Sequence, residues 1–192
     1  LAVQVDTASG AYNDIEAIGK AIRAAGHPAL FMVDAVASLG CMPFEMDAWG
    51  VDVAMSASQK GLMSSPGLGF VAANDKAMQA HKTANMRTAY WDWTSRSSPL
   101  HYMKHCGTPP EHLMFGLRAA LDMIFEEGLE AVWHRHALLA GATHAAIARW
   151  AGVLSLENFS AQVDIRKLAP TRFGLSYALK ADVTQACVVT LD

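Results

Sequence analysis

Short apolar runs that close on a polar tip, separated by amphipathic stretches, constrain this chain more than any other feature. Leu1–Val5 ends on Asp6-Thr7-Ala8-Ser9-Gly10, and Ala29–Val33 is continuously apolar and ends on Asp34. Val51–Ser56 is strand-like and runs into a loop over Gln59–Pro66. A strand apolar on both sides needs cover on both sides, which helices supply. Asn13 or Asp14 can cap a helix over Ile15–Ala25, with Ile15, Ile18, Ala21 and Ile22 on one face. Gly26-His27-Pro28 stops it. Gly69–Ala73 reads as a further strand and Asp75–Lys82 as a short helix. Strands alternating with helices predict an α/β sheet. Ligands of such sheets sit outside the carboxyl ends of the strands. Thr7, Asp34 and Lys60 each follow a strand-like run, so one pocket can collect all three.

Residues 83–110 are irregular and aromatic, with Tyr90-Trp91-Asp92-Trp93 and Gly107-Thr108-Pro109-Pro110. From Glu111 a helical pattern runs to about Trp150, interrupted near Gly128. Leu113, Leu117, Leu121, Ile124 and Phe125 form its first apolar stripe, continued by Leu129, Val132 and Trp133. Beyond Gly152 the pattern weakens, and Phe173–Tyr177 and Ala186–Leu191 read as strands of a smaller domain. The chain opens at Leu1, directly on a strand-like run, and reads as a fragment or an incomplete gene product.

Hydrophobic residues make up 52% and charged residues 17%, so the chain can bury a core. Its net charge of −3 and the lack of a Lys/Arg block argue against nucleic acid and anionic membrane as partners. No apolar run reaches membrane-spanning length, and no signal peptide is visible. Cys41, Cys106 and Cys187 lie far apart without a CxxC pair, which fits a reducing, cytoplasmic setting. His134 and His136 are two apart on a helix and face different ways, so no metal site is expected there. The ten methionines read as core filler.

Lys60 lies in Ser56-Ala57-Ser58-Gln59-Lys60-Gly61, among small residues that leave room for a planar group, and Ser58 supplies a hydroxyl. Taken alone it is a solvated loop lysine, and Asp34 alone is an exposed turn aspartate. Together, two strand ends of one sheet can present this carboxylate and this lysine to one crevice, the pair that pyridoxal 5′-phosphate (PLP) would need. The cofactor's aldehyde is held by a lysine amine, and its ring nitrogen stays protonated against a carboxylate.

Three ordered stretches closely resemble the class V aminotransferases, in particular the alanine–glyoxylate and serine–glyoxylate branch. They are Val33-Asp34-Ala35-Val36-Ala37-Ser38-Leu39-Gly40, Met46-Asp47-Ala48-Trp49-Gly50-Val51-Asp52 and Ser56-Ala57-Ser58-Gln59-Lys60-Gly61-Leu62. The likeness continues through Tyr90-Trp91-Asp92-Trp93, Gly107-Thr108-Pro109-Pro110 and Gly116-Leu117-Arg118-Ala119-Ala120-Leu121-Asp122, to about Trp150. The resemblance implies an α/β three-layer sandwich, the large domain of the fold-type-I PLP transferases, with part of a small α+β C-terminal domain. Residues 1–125 would be the partial cofactor-binding domain, and 126–192 the connecting helix and partial small domain.

By the same resemblance Lys60 is the Schiff-base lysine and Asp34 the partner of the ring nitrogen. Thr7 and Gln59 lie near the phenolic oxygen, and Ser58 neighbours the phosphate. Thr108 crosses a homodimer interface to the other subunit's phosphate. His105 stands where the family usually has a tyrosine, and its imidazole can still donate to phosphate. Substrates would be a small amino acid, serine or alanine, and a 2-oxo acid such as glyoxylate. The family's phosphate loop and ring-stacking aromatic precede the segment present here. Cys187-Val188-Val189-Thr190-Leu191 stands where a carboxylate-gripping arginine is expected, with Arg166 and Arg172 nearby. Two other readings are cysteine desulfuration, whose branch has a histidine where Gln59 stands, and a truncated, non-catalytic relative.

Overall fold

The computed structural model describes residues 1–150, 155–169 and 172–184. The chain divides into two compact units, Leu1–Trp133 and His134–Asp192. The first unit is built on a four-stranded sheet of order β1 (Ala2–Val3), β2 (Met32–Asp34), β3 (Val53–Ala57) and β4 (Gly69–Ala73). The first three strands are parallel and β4 is antiparallel to β3. This is an α/β fold with a mixed sheet. A parallel return needs a long crossover, and residues 58–68 carry none, so the chain turns back antiparallel.

Helix α1 (Ile15–Ala24) crosses between β1 and β2. Asp14 caps it by accepting the Ala17 N–H at 2.9 Å. Its apolar face meets the sheet in a core of Ile15, Phe31, Val33 and Val51, flanked by Ala2, Ile18, Ile22, Phe44, Met46, Trp49 and Ala54. Each such buried aliphatic or aromatic side chain contributes about 1.5–3 kcal/mol. The one-turn helix α2 (Met46–Trp49) docks on α1 where Gly19 has no side chain. A Cβ at Gly19 would run into the Trp49 carbonyl oxygen. The Trp49 ring meets Phe44 edge-on, with centroids 5.6 Å apart.

Helix α3 (Asp75–Thr83) follows β4, capped by Asn74 accepting the Ala77 N–H at 3.0 Å. The aromatic segment after it is not wholly irregular, because it holds two single-turn helices, α4 (Trp93–Arg96) and α5 (His101–Lys104). Arg96 organises this segment by donating to the carbonyls of Ala89, Tyr90, Met103 and Lys104. The long helical pattern resolves into α6 (Glu111–Glu127) and α7 (Leu129–Trp150), parted at Gly128 as expected. On α6 the buried stripe runs through Ala120 and Ile124, whereas Phe125 is 66% exposed and off it.

In the second unit β5 (Ser155–Ala169) and β6 (Arg172–Thr184) pair antiparallel, from Ser155 opposite Thr184 to Ala169 opposite Arg172. The strand expected at Phe173–Tyr177 lies within β6, and the one expected at Ala186–Leu191 falls outside the described residues. Among the described residues no helix is long and apolar enough to cross a membrane.

Candidate active site

Because β1, β2 and β3 run parallel, their carboxyl ends share one edge of the sheet. The register sets Val3 beside Asp34 and Asp34 beside Met55. Neighbouring strands are about 4.8 Å apart, so groups leaving these tips start within one aromatic ring's reach of each other. Thr7 lies on the loop after β1, Asp34 closes β2, and Gln59 and Lys60 open the loop after β3.

Asp34 is half-buried, and its Oδ1 accepts the Val36 N–H at 2.8 Å. Among the described residues no other group bonds this carboxylate, so Oδ2 keeps its acceptor capacity. The following loop is stapled to β3. The Ala35 N–H donates to the Met55 carbonyl at 2.9 Å, and the buried Ser56 hydroxyl donates to the Ala35 carbonyl at 3.4 Å. Ser38 and Leu39 N–H groups return to the same Ala35 carbonyl at 3.2 and 2.9 Å. The Asp34 carboxylate therefore leaves a rigid corner.

The Lys60 loop is equally well tied. The Met63 N–H reaches the Lys60 carbonyl at 2.9 Å, and the Ser64 N–H reaches the Ser58 carbonyl at 3.0 Å. Gln59 and Lys60 are both exposed. The return arm packs on α6. Gly67 has φ +134°, and a Cβ there would lie 2.6 Å from Leu113 Cδ1. Ser58 stands at the root of the same loop. It is fully buried and donates its hydroxyl to the Ser65 carbonyl at 2.6 Å. That bond ties the start of the Lys60 loop to its return arm.

Thr7 is exposed on a turn held by its neighbour Asp6, which accepts the Ala8 N–H at 2.9 Å and the Ser9 hydroxyl at 2.8 Å. The Ala8 N–H and the Ser9 hydroxyl keep the Asp6 carboxyl below its ordinary value. Thr108 and His105 lie between α5 and α6, Thr108 exposed and His105 half-buried. Among the described residues neither side chain hydrogen-bonds to the Asp34 or Lys60 loop. The structure brings Thr7, Asp34, Gln59 and Lys60 to one edge and leaves Thr108 and His105 on a separate, Arg96-pinned segment.

Chemically, this edge offers a primary amine able to add to a carbonyl and a carboxylate able to hold a protonated nitrogen. The class-V aminotransferase family model matches residues 1–185. The chain belongs to that family. It is 46% identical over 157 residues to serine–glyoxylate aminotransferase of Methylorubrum extorquens, covering 78% of this chain and 39% of that protein. To L-aspartate–glyoxylate aminotransferase of Paracoccus denitrificans it is 43% identical over 150 residues, covering 78% of this chain and 38% of that protein. Among solved structures, alanine–glyoxylate aminotransferase of Nostoc sp. superposes with a TM-score of 0.68 at 32% identity, covering 85% of this chain and 42% of that one. The chain thus spans under two-fifths of the length of these curated relatives.

Two features of this class-V aminotransferase chain went unread in the sequence. Gly40 and Gly61 meet backbone to backbone, joining the Asp34 loop to the residue after Lys60. The sequence signal was present, a glycine in each loop, but a glycine's neighbour across space is not written in one sequence. The other is Asp52, at the opposite edge of the sheet. Its carboxylate accepts from the Phe31 N–H at 2.7 Å, Lys76 Nζ at 2.9 Å and Asn74 Nδ2 at 2.9 Å. Burial works against its charge, but the Phe31 N–H, Lys76 and Asn74 outweigh that and hold the carboxyl below its ordinary value. Its position makes it a clamp on the sheet rather than part of the site.

Proposed function

We propose that the whole protein is a PLP-dependent transaminase that moves an amino group from a small amino acid, serine or alanine, to a 2-oxo acid such as glyoxylate. The observation that carries this reading is the delivery of Asp34 and Lys60 to one sheet edge from adjacent parallel strands. The donor set fits the cofactor. Asp34 keeps Oδ2 for a protonated ring nitrogen, and the exposed Lys60 amine can hold an aldehyde carbon. When bound, PLP supplies an electron-accepting ring that stabilises the charge left at the substrate Cα after deprotonation.

The chain's own residues have distinct tasks. Lys60 Nζ anchors the cofactor at rest. With the substrate amine in its place, Lys60 Nζ would take the substrate α-proton as a base and, as an acid, deliver it to the carbon that had been the cofactor's aldehyde. Asp34 holds the proton on the ring nitrogen by its opposite charge. Thr7 and Gln59 donate toward the phenolic oxygen. Thr108, on its own Arg96-held segment, serves the phosphate of a partner subunit in a homodimer, and the His105 imidazole can donate to phosphate. Residues 1–125 belong to the cofactor-binding domain and 126–192 to the connecting helix and small domain, and the protein works in the cytoplasm.

Glyoxylate as acceptor is supported by its recurrence in the names of the curated relatives. Gln59 before the lysine disfavours cysteine desulfuration. The test is a donor survey of the full-length protein with PLP and glyoxylate. Glycine formation from serine or alanine is expected, and glycine formed from neither would overturn the assignment.

A further inference from the structure

Strand register alone does not fix where Lys60 stands relative to Asp34, because each group leaves its strand into a loop. What joins the two loops is a contact without side chains. Gly40, at φ +86°, approaches so closely that an added Cβ would lie 3.0 Å from both the carbonyl carbon and the oxygen of Gly61. The reverse intrusion is worse. A Cβ on Gly61 would collide with the Leu39 carbonyl oxygen and lie 2.8 Å from Cys41 Sγ and 3.0 Å from the Cys41 nitrogen. Two of the three obstacles are backbone atoms, which cannot rotate away.

The two loops are also anchored independently at their roots. Ala35 is bonded to Met55 and Ser56 of β3, and Ser58 is bonded to Leu68 at 3.1 Å and to Ser65. A push at Gly61 therefore has few ways to relax. The residue displaced with it is Lys60, its immediate neighbour in the chain.

We propose that Gly61, seated against Leu39, Gly40 and Cys41, is a positioning residue that sets the Lys60 amine relative to the Asp34 carboxylate. This rests on the role of Lys60 given above. The interlock makes a small side chain at position 61 more damaging to the chemistry than to the fold, because the sheet core lies elsewhere, at Ile15, Phe31, Val33 and Val51.

The test compares Gly61→Ala and Gly40→Ala in the full-length protein with two reference variants. Gly19→Ala injures the fold at the α1–α2 contact, away from the two loops. Gly116→Ala places its Cβ 3.6 Å from Ser64 Oγ, an ordinary contact. The first readout, on cofactor-free protein, is peptide-resolved alkylation of the Cys41 thiol. Gly61→Ala should speed it roughly tenfold as the interlock opens. The second, with PLP, is the pH midpoint of the visible absorption band together with the kcat–KM split. Gly61→Ala should shift the midpoint and lower kcat more than it raises KM, and Gly40→Ala should do the same to a smaller extent. Gly19→Ala and Gly116→Ala should leave Cys41 reactivity and the band midpoint unchanged.

If Gly61→Ala matches Gly19→Ala, losing thermal stability with band midpoint and Cys41 reactivity unaltered, the positioning role is refuted. If Gly61→Ala does not fold, Gly40→Ala carries the same comparison with the same two outcomes. A native protein without a visible band would overturn the cofactor reading instead. The alkylation rates would still decide whether the interlock exists.

Discussion

Replacing Asp52 with alanine should destabilise the first unit by about 3 kcal/mol at neutral pH. The figure follows from what each partner loses. Phe31 is 4% exposed, and its N–H would be left buried without an acceptor, which costs about 1–3 kcal/mol. Lys76 is 48% exposed and re-enters water readily, so its share is at most about 1 kcal/mol. Asn74 would lose the bond at 2.9 Å that fixes the start of α3, worth about another 1 kcal/mol. Asp52→Asn keeps the shape but places an amide donor among donors, and should cost about 2 kcal/mol. The pH dependence has a definite sign. The folded-state carboxyl titrates below its ordinary value, so its stabilisation is complete above the unfolded-state value near 4 and is lost as pH falls through the lower folded value. The gap between native and Asp52→Ala proteins should therefore narrow on acidification toward pH 3. Urea unfolding at pH 7 and at several acid values measures this directly. A gap below about 0.5 kcal/mol at pH 7, within the ordinary scatter of surface substitutions, would refute the clamp. So would a gap that does not change with acid.

Gly19→Ala should lower stability by about 2–3 kcal/mol, because the new methyl meets the Trp49 carbonyl rather than a side chain that can swing aside; thermal unfolding against Gly116→Ala checks it. Arg96→Ala removes the donors to four carbonyls, so amide exchange over residues 101–108 should quicken about tenfold while exchange in β2 and β3 is unchanged. Asp34→Asn should cut transamination by about 10²-fold or more with the fold intact, since a neutral amide no longer holds the ring nitrogen protonated; steady-state kinetics beside a urea melt separate the two.

The parallel core was legible because its physics is local. Val33 and Val53 are buried on strands whose ends carry Asp34 and the Lys60 loop, and the helix between β1 and β2 announces itself by Asp14 and the Ile15–Ile18–Ile22 face. Boundaries drifted where burial and strand pairing part company. Ala29–Val33 reads as one run, yet pairing starts at Met32, because the Phe31 N–H is claimed by Asp52 instead of the ladder. At the first strand Gln4 looks like an ordinary polar break. In the structure it is fully buried, with its amide donating to the Pro43 carbonyl at 3.0 Å. The strand Ser155–Ala169 was missed although Phe159, Ala161, Val163 and Ile165 alternate with Ser160, Gln162, Asp164 and Arg166, a period-two pattern that predicts it. The direction of the Ser58 hydroxyl is not legible either, because it depends on where the Ser65 carbonyl returns. Long-range contacts of this kind carry no signature in the local pattern.

The most direct measurement is reduction of the full-length protein with borohydride in the presence of PLP, followed by peptide mapping. A single pyridoxyl adduct on Lys60, absent from Lys60→Ala, is the expected result. An adduct confined to another lysine, or none at all, would contradict the account.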